Sequence, residues 1–206
     1  MNCVVLCAGL GTRFGLKTLS VPKPALKIGG KPLIRIILDQ LEGVGFNDII
    51  VKAYWLSGKL RDAIGEDENV TLVTEMKLSE TASFLKNNAD RLDDDFMVIN
   101  GDTLTNLDFK DIIDFHINSN KIATIFTQRN AVHSGGTYIF KKEILDYIPN
   151  EPWSINTDLI PDLLEENIPI ALYFSDASYF DIATPAKLKQ ANEAYKKWNK
   201  VLIFDG

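Results

Sequence analysis

The chain has 206 residues, 46% hydrophobic and 24% charged, which is enough to bury a sizeable core. Its net charge of -6 offers no basic face to a polyanion, so DNA and RNA are not expected partners. No apolar stretch approaches the roughly 20 residues that span a bilayer, and Met1 leads into an apolar run rather than a basic region and signal core; the expectation is one cytoplasmic globular domain over 1–200, with no membrane partner.

The first apolar run, Cys3–Cys7, reads as a strand that ends in Ala8-Gly9-Leu10-Gly11-Thr12-Arg13. Backbone this bare presents successive N–H groups to an anion, and phosphate is the natural guest, although a tight strand-to-loop turn explains a bare Gly-x-Gly equally well. Neither common phosphate fingerprint is complete: Phe14 stands where a dinucleotide loop needs a third glycine, and no Gly-Lys-Ser/Thr follows. Cys3 and Cys7, the only two cysteines, share a face of the strand at a separation of about 13 Å, too far for a disulfide, and read as buried thiols. In Pro22-Lys23-Pro24 two prolines fix the backbone around one lysine, which is either a solvated surface turn or an ammonium with a preset direction.

Pro32–Gly45 then carries Leu33, Ile34, Ile37, Leu38 and Leu41 on one helical stripe, and Ile49–Tyr54 and Val70–Thr74 are strands. Ser79–Ser83 is either a helix start, for which Ser79 is a plausible cap, or a segment that contacts a ligand. Phe96–Ile99 is a strand followed by Asn100-Gly101-Asp102; Asp102 is either a ligand-facing carboxylate or part of an ordinary strand-end turn. Leu107–Ser119 repeats the helical stripe with Phe109, Ile112, Ile113 and Phe115, and Ile122–Thr127 is a further strand. Such alternation predicts an α/β fold, Rossmann-like, with a mixed, mainly parallel sheet and helices on both faces, and ligands at the carboxyl ends of its strands.

In the second half Thr137–Phe140, Ile170–Phe174 and Tyr179–Ile182 are short strand candidates, and Asn156–Glu166 and Pro185–Trp198 are helices, the latter opened by Thr184 and Pro185 as cap and first turn. No Gly/Ser linker divides the halves. His116 and His133 have no cysteine partner and read as structural or solvent-exposed, and Trp153 is either a core or lid residue or the wall of a pocket.

The combination of Gly9-Leu10-Gly11-Thr12-Arg13 with Pro22-Lys23-Pro24 resembles the sugar-1-phosphate nucleotidylyltransferases over nearly the whole chain, especially the short heptose-1-phosphate guanylyltransferase and N-acetylmuramate-1-phosphate uridylyltransferase types. Gly101-Asp102 and Tyr179-Phe180-Asp181-Ile182-Ala183-Thr184-Pro185 are similar to two further family elements. The resemblance implies the GT-A-like fold of nucleotide-diphospho-sugar transferases and a reaction between a nucleoside triphosphate (GTP, CTP or UTP) and a phosphorylated small-molecule acceptor. The product is an NDP-sugar for a surface polysaccharide such as a capsule. By the same resemblance Leu6, Ala8, Gly9, Leu10, Gly11, Thr12, Arg13, Glu75, Thr81, Ala82 and Gly101 bind the nucleotide. Lys23, Asn100, Ser134, Gly135, Gly136 and Asp158 face the acceptor; Arg13, Lys23 and Asp102 are catalytic. Asp102 and Asp181 together hold one Mg²⁺, an ion that takes one or two carboxylates plus phosphate oxygens and water.

The sequence departs from the family pattern in four places. Ala8 and Ala183 replace glycines, which is harmless where φ is negative. Glu80 and Ser83 replace glycines in the base-reading segment Glu75–Ser83, leaving the base open. A hairpin carrying a Glu-Lys pair is reduced to Gln128–Val132, so the acceptor pocket is more open or takes a smaller guest, with Arg129 and His133 as candidate cations. A CTP-dependent cytidylyltransferase for a small phospho-alcohol or phospho-amino compound is the alternative, and a non-catalytic nucleotide or sugar sensor is the alternative from another class. The failed glycine fingerprint speaks against a nicotinamide oxidoreductase. Val201-Leu202-Ile203-Phe204-Asp205-Gly206 resembles the first motif of haloacid-dehalogenase-type phosphatases, and is either the start of a fused phosphatase-like domain or a terminal strand or tail.

Overall fold

In this computed structural model the described residues are 1–11, 14, 18, 20–129 and 134–201. In chain order the elements are β1 (Asn2–Leu6), β2 (Lys27–Ile28), β3 (Lys31–Pro32), α1 (Leu33–Gly43), β4 (Ile49–Ala53), α2 (Ser57–Ile64), β5 (Val70–Thr74), α3 (Thr81–Asn87) and β6 (Asp95–Asn100). They continue with β7 (Thr103–Thr105), α4 (Phe109–Ser119), β8 (Ala123–Gln128), β9 (Ser134–Lys141), α5 (Ile160–Glu165), β10 (Ala171–Ser175), β11 (Tyr179–Asp181) and α6 (Pro185–Val201).

The main sheet has seven strands in the order β10-β8-β9-β6-β1-β4-β5. Neighbours run parallel except at β9, which is antiparallel to both β6 and β8. From β1 the chain crosses outward through β4 to β5, then returns to place β6 on the opposite side of β1. That reversal makes the carboxyl ends of β1 and β6 the switch point at which such sheets bind ligands.

Alternate residues of the central strands feed two cores. Cys3, Val5, Ile49, Val51, Met97 and Ile99 pack with Leu33, Ile37, Leu41, Leu60, Ile112 and Ala191, so α1, α2, α4 and α6 cover one face. Val4, Ile50, Phe96, Val98, Ile125 and Tyr138 pack with Phe84, Leu85 and Leu163, so α3 and α5 cover the other. Both cysteines are buried and free, and both belong to the first core.

Several boundaries differ from the sequence reading for local reasons. β3 takes Pro32 into a short hairpin, so α1 begins at Leu33. α4 begins at Phe109 because the Asp108 side chain accepts the N–H groups of Lys110 and Asp111. Ser79 is not the cap of α3; that position falls to Glu80, without a side-chain cap bond. The helix expected over Asn156–Glu166 divides into a wide π-type turn, Ile155–Leu159, and α5. The sequence reading missed α2, which buries only Leu60 and Ile64, and β7. The α6 helix continues through Val201, while 202–206 lie outside the described residues. No helix among the described residues is long and apolar enough to cross a membrane.

Candidate active site

A cleft of about 300 Å³ opens at the switch point, lined by Leu6, Cys7, Ala8 and Gly9 after β1, Asn100 and Asp102 after β6, Lys23, Lys52, the 78–81 segment, Ser154 and Asn156. Its first wall is bare by construction. A Cβ on Gly9 would meet nothing within 4 Å among the described residues, leaving the backbone open on that side to an approaching group. Gly11 adopts φ +67°, which L side chains rarely take, and its carbonyl accepts the Phe14 N–H at 2.9 Å and the Thr18 hydroxyl at 3.0 Å. Neither Ala8 nor Ala183 has positive φ, so the methyl groups that replace glycines there cost no backbone strain. Thr12 and Arg13 lie outside the described residues.

The proline clamp shapes a single turn, Lys23–Ala25, closed by the Ala25 N–H donating to the Pro22 carbonyl at 2.9 Å. Lys23 is only 7% exposed, which removes the solvated-turn reading. Its Nζ lies 2.8 Å from Asp102 Oδ2 across the mouth of the cleft. Gly101, just before that carboxylate, is confined: a Cβ would fall 2.2 Å from Cys7 Sγ and 3.0 Å from the Leu6 carbonyl oxygen, while its N–H donates to the same carbonyl at 2.9 Å. The end of β6 is thereby pressed against the end of β1.

Asp181 is tied to the Asp102 segment by a long-range route, although it does not line the cleft itself. β7 and β11 form a two-stranded antiparallel sheet in which Asp181 pairs with Thr103, and the Ile182 N–H donates to the Asp102 carbonyl at 2.9 Å. The Thr105 hydroxyl locks this sheet by donating to the Ser178 carbonyl at 2.8 Å. Asp181 Oδ1 is buried and finds no hydrogen-bond partner among the described residues, and Oδ2 has Lys187 Nζ at 3.6 Å. Burial, then Asp181 and Asp102, pushes the Tyr179 hydroxyl pKa up to about 12, so both carboxylates act on one ring. Burial and then Asp102 also push the Cys7 thiol upward. Among the described residues no cluster of three or more His, Cys, Asp or Glu is arranged around a common ion position. Two hard carboxylates, one with an unsatisfied oxygen, fit a cation whose other ligands come from phosphate and water.

The remaining expected residues fall into two groups. Asn100 lines the cleft, and Gly136, at φ +69°, lies so near it that a Cβ would be 2.6 Å from the Asn100 amide nitrogen. Thr81 lines the cleft while its hydroxyl oxygen accepts the Ile155 N–H at 2.9 Å. Outside the lining are Leu10, which is exposed, and Ala82, which is fully buried in the second core. Glu75 turns inward, accepting the hydroxyl and the N–H of Ser79. Asp158 accepts the Ser154 N–H at 2.7 Å and so braces the turn that presents Ser154 and Asn156. Gly135 packs beneath Phe126 in β9; Arg129 is exposed and pairs with Asp176 at 3.5 Å; His133 lies outside the described residues. Trp153 packs against the second core, and His116 is buried. Sequence reasoning missed Lys52, Ser154, Asn156 and Lys187; a lone lysine inside the run Ile49-Ile50-Val51-Lys52-Ala53 was the available signal for the first.

A mainly parallel sheet covered on both faces, with its cleft at the switch point, is the nucleotide-binding class of α/β fold. The nucleotidyl transferase family profile matches residues 2–135, and the chain belongs to that family. It is 26% identical to the UTP–glucose-1-phosphate uridylyltransferase of Synechocystis sp., over 88% of this chain and 60% of that protein. It is 36% identical to the N-acetylmuramate α-1-phosphate uridylyltransferase of Neisseria meningitidis serogroup B, over 53% of this chain and 50% of that one. The fold is shared with HddC from Yersinia pseudotuberculosis complexed with GMP-PN, at a TM-score of 0.78 and 24% identity, covering 94% of this chain and 99% of that one. The chain spans about 50–60% of the length of the curated relatives it matches.

Proposed function

We propose that this chain transfers a nucleoside monophosphate from GTP, CTP or UTP to a sugar 1-phosphate, releasing pyrophosphate and forming an NDP-sugar. What carries the reading is the pairing of Lys23 with Asp102 in a cleft that the open backbone of Gly9 also lines, with Asp181 tied to the Asp102 segment through the backbone. A phosphate oxygen of the acceptor attacks the α-phosphorus, a new P–O bond forms, and the bond to pyrophosphate breaks in line with it. The attacking oxygen is already anionic, so no protein base or nucleophile is required. The barrier lies in bringing two polyanions together and in the charge that spreads over the transferring group.

The chain's own residues are suited to that task. The Gly9 backbone and Arg13 receive the triphosphate, and the buried Lys23 ammonium neutralises oxygens at the reacting phosphates. Asn100 and the Ser134-Gly135-Gly136 strand end bound the acceptor side, where Gly136 leaves the Asn100 amide unobstructed. Asp102 and Asp181 would hold Mg²⁺, which when bound supplies further charge neutralisation on the phosphate oxygens. The uridylyltransferases to which the chain is similar act, by name, on glucose 1-phosphate and N-acetylmuramate α-1-phosphate, which supports a sugar 1-phosphate as acceptor. A nucleoside triphosphate donor suits a cytoplasmic enzyme, and an NDP-sugar product suits polysaccharide synthesis.

A pyrophosphate-release screen of the four nucleoside triphosphates against phosphorylated sugars, alcohols and amino compounds with Mg²⁺ tests the proposal. Release with one nucleotide and a sugar 1-phosphate is the expected result. Release only with CTP and a small phospho-alcohol points to the cytidylyltransferase, and nucleotide binding without release across the panel overturns transfer in favour of a sensor.

A further inference from the structure

Lys52 carries a cation into the middle of β4, and its side chain is 2% exposed. Burial on this scale costs several kcal/mol unless the ammonium protons are used. Nζ donates to the Ser79 carbonyl at 2.6 Å, to the Ser79 hydroxyl at 3.2 Å and to the Glu80 carbonyl at 3.4 Å. Glu75 Oε2 stands 3.4 Å away, and the Phe84 ring centroid 5.0 Å away. Burial pulls the Lys52 pKa below the ordinary lysine value, and Glu75 opposes that pull. Because Glu75 also accepts the hydroxyl and N–H of Ser79, the 75–80 segment is wrapped around this one ammonium.

The backbone of the same residue holds the other wall. Lys52 pairs with Leu6 in the sheet, and its carbonyl accepts the Cys7 N–H at 2.9 Å, where β1 gives way to the glycine loop. Lys52, Cys7, Ala8, Gly9, Ser79 and Glu80 all line the cleft. A nucleotide with its phosphates at Gly9 and Lys23 would direct its base toward the 78–81 segment, which lines the same cleft. An apolar side chain would fill the interior of β4 at no desolvation cost, and replacing a buried ion pair with apolar residues is often neutral or stabilising. Stability therefore gives no reason for a lysine here, whereas an irregular segment whose carbonyls need fixed donors does.

We propose that Lys52 is a positioning residue for the nucleotide. It holds the Glu75–Glu80 segment, at the base end of the cleft, in the one conformation that receives the base; this rests on the nucleotidyl-transfer reading. A segment released from the ammonium spreads over other conformations, and apparent affinity falls by the fraction that remains competent. The acceptor side, built from β6 and β9, shares none of these bonds.

Lys52→Met keeps the stem and removes the ammonium. The expected result is an increase of at least about tenfold in KM and Kd for the nucleotide, with kcat at saturation within about threefold of wild type and the acceptor KM unchanged. The double variant Lys52→Met/Glu75→Gln removes both charges, leaves no buried carboxylate without its partner, and covers the case in which the single variant does not fold; the same nucleotide defect is expected in it. An unchanged nucleotide KM and Kd in a folded variant overturns the proposal, as does a fall in kcat with both KM values unchanged, the signature of lost active fraction. Kd is measured with GTP, CTP and UTP separately, so wild-type binding without pyrophosphate release would sink the transfer reading while still testing Lys52. Neither binding nor release by the wild type would sink both.

Discussion

The two walls of the cleft are made in different ways. Leu6 to Gly9 and Lys52 extend or belong to parallel strands buried on both faces, and the turn that carries Lys23 packs over the same core. Ser154 and Asn156 instead come from a π-type turn, and Asp181, outside the lining, from a three-residue strand; both are placed by contacts with residues more than seventy positions earlier, Asp181 by Thr103 and Ile155 by Thr81. The first wall is thus as rigid as the sheet, whereas the second depends on a few hydrogen bonds spread along the chain. Long-range closure of this kind is entropically costly.

The sharpest way to break this division is to remove one carboxylate from each side. Asp102→Asn is expected to lower kcat by about a hundred- to a thousandfold, the 3 to 4 kcal/mol typical of one lost electrostatic contributor, with the fold retained but the melting temperature lowered because the buried Lys23 ammonium loses its counter-charge. Asp181→Asn should lose a comparable factor, because its buried Oδ1 has no hydrogen-bond partner among the described residues and so is not held in a structural bond, while the next residue's N–H donates to the Asp102 carbonyl. Steady-state pyrophosphate release and thermal melts of the two variants decide the matter. Near wild-type turnover in Asp181→Asn would confine the chemistry to the first wall.

The same contrast accounts for what could be read in the sequence. β1, β4 and β5 are runs whose apolar character and turn residues are local signals, and the Gly9-to-Arg13 and Pro22-to-Pro24 stretches announce themselves by composition. β7 escaped because Thr103-Leu104-Thr105 is too short to show a period; it is a strand only because Tyr179–Asp181 pairs with it. α2 escaped because two buried residues, Leu60 and Ile64, make too thin a stripe. Glu75 shows the limit of carrying a role over by position: the residue type fits a base contact, yet Ser79 at i+4 captures the carboxylate, and no local pattern reveals that capture.

Where the walls meet, glycines set the tolerance, and the second expected effect is on stability. Gly101→Ala drives a methyl into Cys7 Sγ and toward the Leu6 carbonyl, and Gly135→Ala drives one into the Phe126 ring at 2.1 Å. Each should destabilise by about 1–3 kcal/mol, as overpacking of a filled interior does, and appear as a lower melting temperature. Adding Cys7→Ala to Gly101→Ala removes the sulfur but not the carbonyl oxygen 3.0 Å away, so part of the loss should return and part should remain. Complete recovery would show that the two strand ends are less tightly pressed together than the geometry indicates.

The smallest expected effect tests whether the sheet beyond the cleft titrates independently of the site. His116 on α4 is 1% exposed, with Nδ1 2.7 Å from Thr124 Oγ1 on β8 and Nε2 3.4 Å from Asp95 Oδ1 on β6. Burial lowers its pKa below 6.5; Asp95 opposes that and Lys141 on β9 adds to it. Since the unfolded chain binds this proton more readily than the folded one, stability contributed by the neutral ring is full above about pH 6.5 and is lost as pH falls from there toward the folded value. Melts between about pH 7.5 and 5.5 should therefore show a decline in the wild type that is shallower in His116→Gln, with no difference between the two in the pH dependence of the nucleotide Kd. Equal slopes for the two proteins would mean that the ring accepts its proton as easily inside as in water, and the burial argument for this helix would fail.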